Sequence, residues 1–175
     1  NYNTVVGDEA GTAITTGDGN VAIGYAALKT EDGHGNNVAV GTNALTTLNA
    51  GANAYNTAVG VNSGLSVTTG TQNTLIGGLA GDALTDVDYN VAIGSEALST
   101  DTLGSRSVAI GRAALNAQNF TSATNTYNVA IGFDAGKAVS TGYDNTLIGG
   151  LAGDALDVGH RNVALGRSAL GADTK

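Results

Sequence analysis

The chain alternates short apolar triplets with longer stretches of small and polar residues. Each triplet follows Asn, or once Ser, and ends at Gly, so that five residues read Asn-(Thr/Val)-(Ala/Val/Leu)-(Val/Ile/Leu)-Gly. Ten copies begin at Asn3, Asn20, Asn37, Asn56, Asn73, Asn90, Ser107, Asn128, Asn145 and Asn162. The spacing is 17 residues, except for 19 after Asn37 and 21 after Ser107. A short fixed period is typical of stacked repeats. Each repeat is called a coil below, numbered 1–10, with positions counted from its first residue.

The apolar triplet predicts a short β-strand in every coil. Position 2 is always Val or Thr, and position 4 is always Val, Ile or Leu. Positions 2 and 4 point to one face of a strand and position 3 to the other. Because both faces are apolar, we expect a strand buried on both sides.

The residues that flank the triplet predict its turns. Gly at position 5 suits a strand end where φ is positive or backbones crowd. Asn at position 1 tolerates a left-handed turn, and stacked copies can form a hydrogen-bonded ladder. We therefore assign a structural role to Asn20, Gly24, Asn37, Gly41, Asn90, Gly94, Asn128 and Gly132.

Positions 9 and 12 vary together and reveal a second period. Where position 9 is Gly, position 12 is apolar; where position 9 is Leu, position 12 is polar except at Leu48. We expect each coil to fill one part of the core by one of two backbone paths. The two coil types alternate with a period of four coils. This period predicts a single repeat domain, residues 1–175, made of blocks 3–72 and 73–144 and a partial block 145–175.

A coil of 17 residues cannot hold two packed helices, so we predict an all-β, parallel β-solenoid. Stacked at about 4.8 Å per coil, ten coils form a rod roughly 48 Å long. We expect the rod to bury its small-residue face, formed by Ala at position 3, against copies of itself in a parallel homotrimer. The alternative is a monomer that leaves this Ala exposed. End-to-end stacking would cover the open ladder ends.

Asn-Val-Ala-Ile-Gly at 20, 90 and 128, and Ser-Val-Ala-Ile-Gly at 107, resemble the repeat of YadA-like trimeric autotransporter adhesin heads. The longer Asn-(Thr/Val)-Ala-(Ile/Val)-Gly-x-x-Ala-Leu unit resembles repeats in bacteriophage tail fibres. This resemblance covers essentially the whole chain. It implies a left-handed β-roll, assembly as a trimer and binding to host surfaces. The adhesin repeat is shorter than 17 residues, and this chain shows no coiled-coil stalk, membrane anchor or chaperone domain.

Charge and composition restrict the partners. A net charge of -8 disfavours nucleic acids and anionic membranes, which need a basic footprint. No apolar run approaches the length of a membrane span, and no signal peptide is visible. The chain has no Cys and so no disulfide. Because the repeat runs from Asn3 to Asp173, we expect an excerpt of a longer fibre located outside the cell, on a cell surface or on a virion.

Few residues suggest chemistry, and we expect neither an enzyme nor a cofactor nor a metal site. His34 and His160 fall seven coils apart, which favours two isolated surface side chains. The segments 16–19 and 31–35 resemble calcium loops but lack the regular spacing of acidic side chains, so turns are the better interpretation. Asp82, Asp86 and Asp88 could serve a polysaccharide-active enzyme, but similar residues recur at Asp154 and Asp157, which favours a solvated rim.

The candidate ligand contacts are aromatic: Tyr55, Phe120, Tyr127 and Tyr89. The three Tyr close their coils, and the extra residues of the two long coils fall within 49–55 and 116–127. Loops on a rigid scaffold often carry binding. The alternative for each Tyr is packing on the neighbouring coil.

The leading hypothesis for function is a rigid multivalent attachment fibre that contacts a host glycan or protein. The alternative is a structural filament or shaft segment without a ligand. An ice-binding solenoid needs a regular Thr array, but only four coils carry Thr at position 2. That hypothesis and a polysaccharide-active solenoid are therefore weaker.

Overall fold

The computed structural model describes residues 2–171. One short strand lies in each coil, and two additional strands lie between them. The strands are β1 Thr4–Val6, β2 Val21–Ile23, β3 Val38–Val40, β4 Thr57–Val59, β5 Thr74–Ile76, β6 Val91–Ile93, β7 Gly104–Ser105, β8 Val108–Ile110, β9 Thr124–Asn125, β10 Val129–Ile131, β11 Thr146–Ile148 and β12 Val163–Leu165.

Ten of these strands form one parallel sheet whose order follows the chain. Each strand pairs in register with the same strand of the next coil, as Val91 does with Val108. Backbone hydrogen bonds beyond the strands also join successive coils, such as the Gly94 N–H donating to the Ile76 carbonyl at 2.7 Å. The predicted parallel β-solenoid is therefore confirmed.

Within one chain only one face of the strand is buried, and the prediction that Ala at position 3 lies on the outer face was wrong. The position-3 side chain points into the coil, and Ala22, Ala92 and Ala130 are fully buried. Positions 2 and 4 point outward, and none of their twenty residues belongs to the buried cluster. A single coil encloses only one interior. Side chains at positions 9 and 12 occupy much of it, so position 3 is Ala in most coils. Ala at position 3 therefore cannot form a contact between copies.

A ladder of Asn side chains lines one wall of the interior. The Oδ1 atom of each Asn accepts the backbone N–H of the next, as between Asn73 and Asn90 at 2.9 Å. Its Nδ2 donates across the same coil, as Asn73 does to the Val87 carbonyl at 2.8 Å. The predicted ladder is thus confirmed. The left-handed residue, however, is the one before each Asn, as at Asn36 with φ 63°.

The prediction that positions 9–12 follow two different backbone paths was wrong. Leu98 and Gly81 both stand at position 9, with φ of 53° and 57°. A Cβ placed on Gly81 would come within 2.7 Å of the Leu84 side chain. The two coil types therefore differ in which side chain fills the same volume, while the turn is shared.

The extra residues of the long coils form exposed segments at 51–53 and 121–123, within the predicted ranges. In the second long coil, β9 pairs with β7 in a separate two-stranded sheet.

Polar side chains at position 12 are buried: Glu31, Asp101 and Gln118 are fully enclosed. The equivalent Asp173 lies outside the described residues, as does the end of the block 145–175.

Candidate functional site

The most extensive feature of the surface is the outward face of the ten-stranded sheet. We call the side chains at positions 2 and 4 of all coils the outer face. They are half-buried in most inner coils, because neighbours along the ladder cover their sides, and Ile76 is 37% exposed. None of them is charged. The outer face is therefore a continuous band of β-branched and aliphatic groups.

A column of residues at the last position of each coil borders the outer face where the strands begin. Tyr55, Tyr89 and Tyr127 belong to this Tyr column, with 57%, 45% and 53% exposure. They close coils 3, 5 and 7, so they stand about 10 Å apart along the rod. All three have left-handed backbones, with φ between 51° and 63°.

The residues between these tyrosines support the column. The Arg106 guanidinium lies 4.8 Å from the centre of the Tyr89 ring. Gln72 Nε2 donates to the Tyr89 hydroxyl at 3.4 Å. Further along the column, Arg161 pairs with Asp144 at 3.6 Å. The Tyr89 ring is thus held by polar neighbours, with Arg106 over one of its faces.

The opposite border of the outer face, at position 6, combines aromatic and charged groups. Tyr25, Val61 and Phe133 are 49%, 56% and 52% exposed. The Arg112 guanidinium lies 5.4 Å from the Phe133 ring centre and 3.2 Å from Asp134. Asp134 is buried, with 7% exposure, and also accepts from Lys137 Nζ at 3.3 Å, so these ion pairs fix the positions of side chains at this border.

Phe120 does not join the exposed aromatic set. Its ring is only 7% exposed, and its backbone N–H donates to Asp101 Oδ1 at 3.0 Å. Its carbonyl accepts from the Thr102 hydroxyl at 3.0 Å. Phe120 therefore anchors the start of the exposed segment 121–123 in the interior.

The two histidines lie apart in coils 2 and 9. The His160 ring stacks on Tyr143 with centroids 4.2 Å apart.

The carboxylates of the predicted rim bind neighbouring coils. Asp86 accepts a hydrogen bond from the Thr69 hydroxyl at 2.7 Å, and Asp88 accepts from the N–H and the hydroxyl of Thr71, both at 2.8 Å. These carboxylates therefore connect successive turns.

Asp82 is a further carboxylate, and it lacks such a partner. Its Oδ1 atom is buried without a hydrogen bond. Burial raises the pKa of Asp82, and the charge of Glu96 adds to the effect. A folded-state pKa above the unfolded value means that ionisation costs stability as the pH rises through the raised value.

We expect Asp82→Asn to unfold at a higher temperature than the unsubstituted chain at neutral pH. The gain should shrink below the ordinary Asp pKa of 3.8, where the carboxyl is protonated in both folded and unfolded chains. Thermal melts followed by circular dichroism over a pH series measure this. A gain that stays constant with pH would contradict the proposed cause.

No helix within residues 2–171 is both long enough and apolar enough to cross a bilayer. The chain matches no protein-family model, no curated protein and no solved structure.

Proposed function

We propose that this chain is a segment of a fibrous surface attachment protein, an adhesin head or a tail-fibre segment outside the cell. In this proposal three parallel copies associate through the outer face and form a rigid rod. The Tyr columns of the three copies then supply repeated contacts to a host glycan or protein. The observation that carries the proposal is the uncharged, partly exposed outer face along all ten strands.

The dimensions of the outer face support association. This face is three strand residues, about 10 Å, wide and about 45 Å long, from strand rise and strand spacing. Its area of about 450 Å² matches the largest apolar patch of a typical monomer, about 300–600 Å², which is often an interaction surface.

The regular repeat favours copies of the same chain as the partner. Every coil presents one β-branched and one aliphatic side chain at the same height, so a parallel copy meets an equivalent coil at each step. The outer face carries no charge, so association brings no like charges together there although the chain carries -8. A partner of different sequence would need to match this same period.

The Tyr column supports a ligand-binding role. Exposed aromatic rings about 10 Å apart, two ladder steps each, can stack on successive sugars or on protein side chains. Three columns on one rod would raise avidity well above the affinity of one contact.

A glycan array tests the ligand. We expect the full chain to bind a subset of glycans, and a variant with Tyr55, Tyr89 and Tyr127 all changed to Ala to lose this binding. Tyr25→Ala, which removes an equally exposed ring from the opposite border, should bind normally. A third variant that lacks 51–53 and 121–123 separates the loops from the column.

Two results would contradict the proposal. Equal binding by the triple variant would exclude the Tyr column as the site. The absence of binding by every form would favour the structural filament. The mass of each variant, measured by sedimentation, distinguishes a lost ligand contact from a lost assembly.

A further inference from the structure

Glu31, Asp32 and His34 lie together in the last turn of coil 2. The side-chain ligand atoms of the three residues lie within 4.8 Å of one another. His34 Nδ1 is 3.3 Å from Glu31 Oε1 and 3.9 Å from Asp32 Oδ1. Sequence spacing alone hides this cluster, because nothing in it shows that the Glu31 side chain turns inward.

Glu31 is fully buried, yet its carboxylate is weakly compensated. It accepts only long hydrogen bonds, from the N–H groups of His34 and Ala50, both at 3.3 Å. A buried carboxylate is costly unless it is paired or bound to a metal. His34 Nδ1 is itself a buried atom without a hydrogen-bond partner. Two groups that need a partner therefore face each other.

Four coils later, the equivalent buried carboxylate, that of Asp101, accepts a more complete set of hydrogen bonds. Asp101 accepts the N–H groups of Gly104 and Phe120 at 3.1 and 3.0 Å, and the Gln118 amide at 2.5 Å. In the first block, Leu48 stands where Gln118 stands in the second, so that amide donor is lost. His34 stands where the second block has Gly104. Glu31 therefore faces the His34 imidazole, whereas Asp101 faces the Gln118 amide.

The turn that carries the cluster is held from both sides. The His34 carbonyl accepts from Asn20 Nδ2 at 3.0 Å, and the Gly35 N–H donates to Asn53 Oδ1 at 3.0 Å. The Asn36 N–H donates to the Asp18 carbonyl at 3.0 Å. The three side chains therefore extend from a fixed backbone, which is the condition for a preorganised site.

We propose that Glu31, Asp32 and His34 bind a divalent transition-metal ion such as Zn²⁺. Imidazole nitrogen and carboxylate oxygen are both zinc ligands, with metal–ligand distances of about 2.0–2.2 Å. Tetrahedral ligands at that distance lie roughly 3.3 Å apart, which is the separation of His34 Nδ1 and Glu31 Oε1. The nitrogen ligand favours Zn²⁺ over Ca²⁺ or Mg²⁺, which prefer oxygen ligands. The proposal does not depend on the attachment role.

Calorimetric titration of the untagged full chain with zinc chloride tests the site. We expect one Zn²⁺ per chain and no comparable binding of Ca²⁺. Loss of an outer partner alone weakens metal binding about 10–100-fold, so His34→Gly, which copies Gly104, should weaken it at least about 100-fold. His160→Ala is the matched control and should bind normally.

Spectroscopy and stability give independent readouts. Co²⁺ should give the visible absorption of a four-coordinate site in the unsubstituted chain and not in His34→Gly. Zn²⁺ should raise the unfolding temperature only where His34 is present, because a ligand that binds the folded chain stabilises it. Circular dichroism establishes that both variants are folded. The proposal is overturned if millimolar Zn²⁺ does not bind, if His34→Gly binds as tightly as the unsubstituted chain, or if His160→Ala loses the metal.

Discussion

Gly94→Ala is expected to lower the free energy of unfolding by about 2–6 kcal/mol, since strained backbone and overpacking each cost about 1–3 kcal/mol. Gly94 has φ of +133°, a conformation that side chains with a Cβ rarely adopt. A Cβ there would lie 2.5 Å from the Gly111 carbonyl oxygen and 2.6 Å from its carbon. Both are backbone atoms of the next coil, so neither can move without disturbing the ladder.

Urea unfolding followed by circular dichroism measures this loss. Gly78→Ala is the matched control, because a Cβ at Gly78 meets nothing within 4 Å. In a stack where each coil contacts only its neighbours, a weakened joint at coil 6 should also broaden or split the transition. Equal stability of the two variants would show that the crowded glycine column does not maintain the stack.

Ile110→Glu is expected to abolish self-association while the chain remains folded. Ile110 lies on the outer face near the middle of the rod and is only half-buried within one chain, so Glu can reach solvent there. In the proposed trimer the three carboxylates would be buried without partners. A buried unpaired charge costs about 3–5 kcal/mol, so association should weaken at least about 100-fold.

Analytical ultracentrifugation over a concentration series measures this change. Ala155→Glu, an exposed position outside the outer face, adds the same charge and should assemble normally. Circular dichroism should show the same strand content in both variants. If Ile110→Glu has the mass of the unsubstituted particle, the outer face is not the contact.

The repeat allowed the fold to be predicted because the residues at one position of successive coils all meet the same structural requirement. Asn90 must accept from the next coil and Gly94 must fit beneath the next carbonyl, so both recur at a fixed spacing. These columns indicated strand, turn and ladder, and the structure confirms all three. The exposed segments of the long coils also fall within the predicted ranges.

The inward side of the strand could not be predicted, because both sides are apolar. Ala92 and Ile93 each suit a core, and the larger side chain was wrongly expected inside. Ala92 points inward and shares the interior of its coil with Leu98, and both are fully buried. The correction moves the proposed contact between copies from small Ala side chains to the aliphatic outer face.

Buried polar groups were the second feature that the sequence concealed. Glu31, Asp101 and Gln118 occur where solvent exposure would be expected from residue type alone. Their partners include groups one coil away, such as the Phe120 N–H and the Gln118 amide that donate to Asp101, which only the stacked structure brings near. Phe120 was also misplaced from the sequence. Its position in a long loop suggested exposure, but the fold buries it.

The proposed function requires that copies of this chain cover the outer face. Sedimentation equilibrium of the unsubstituted chain is the most direct test, because it gives mass independently of shape. We expect a particle of three times the chain mass of 17.2 kDa. A particle of one chain mass over the whole concentration range would contradict the proposed trimer.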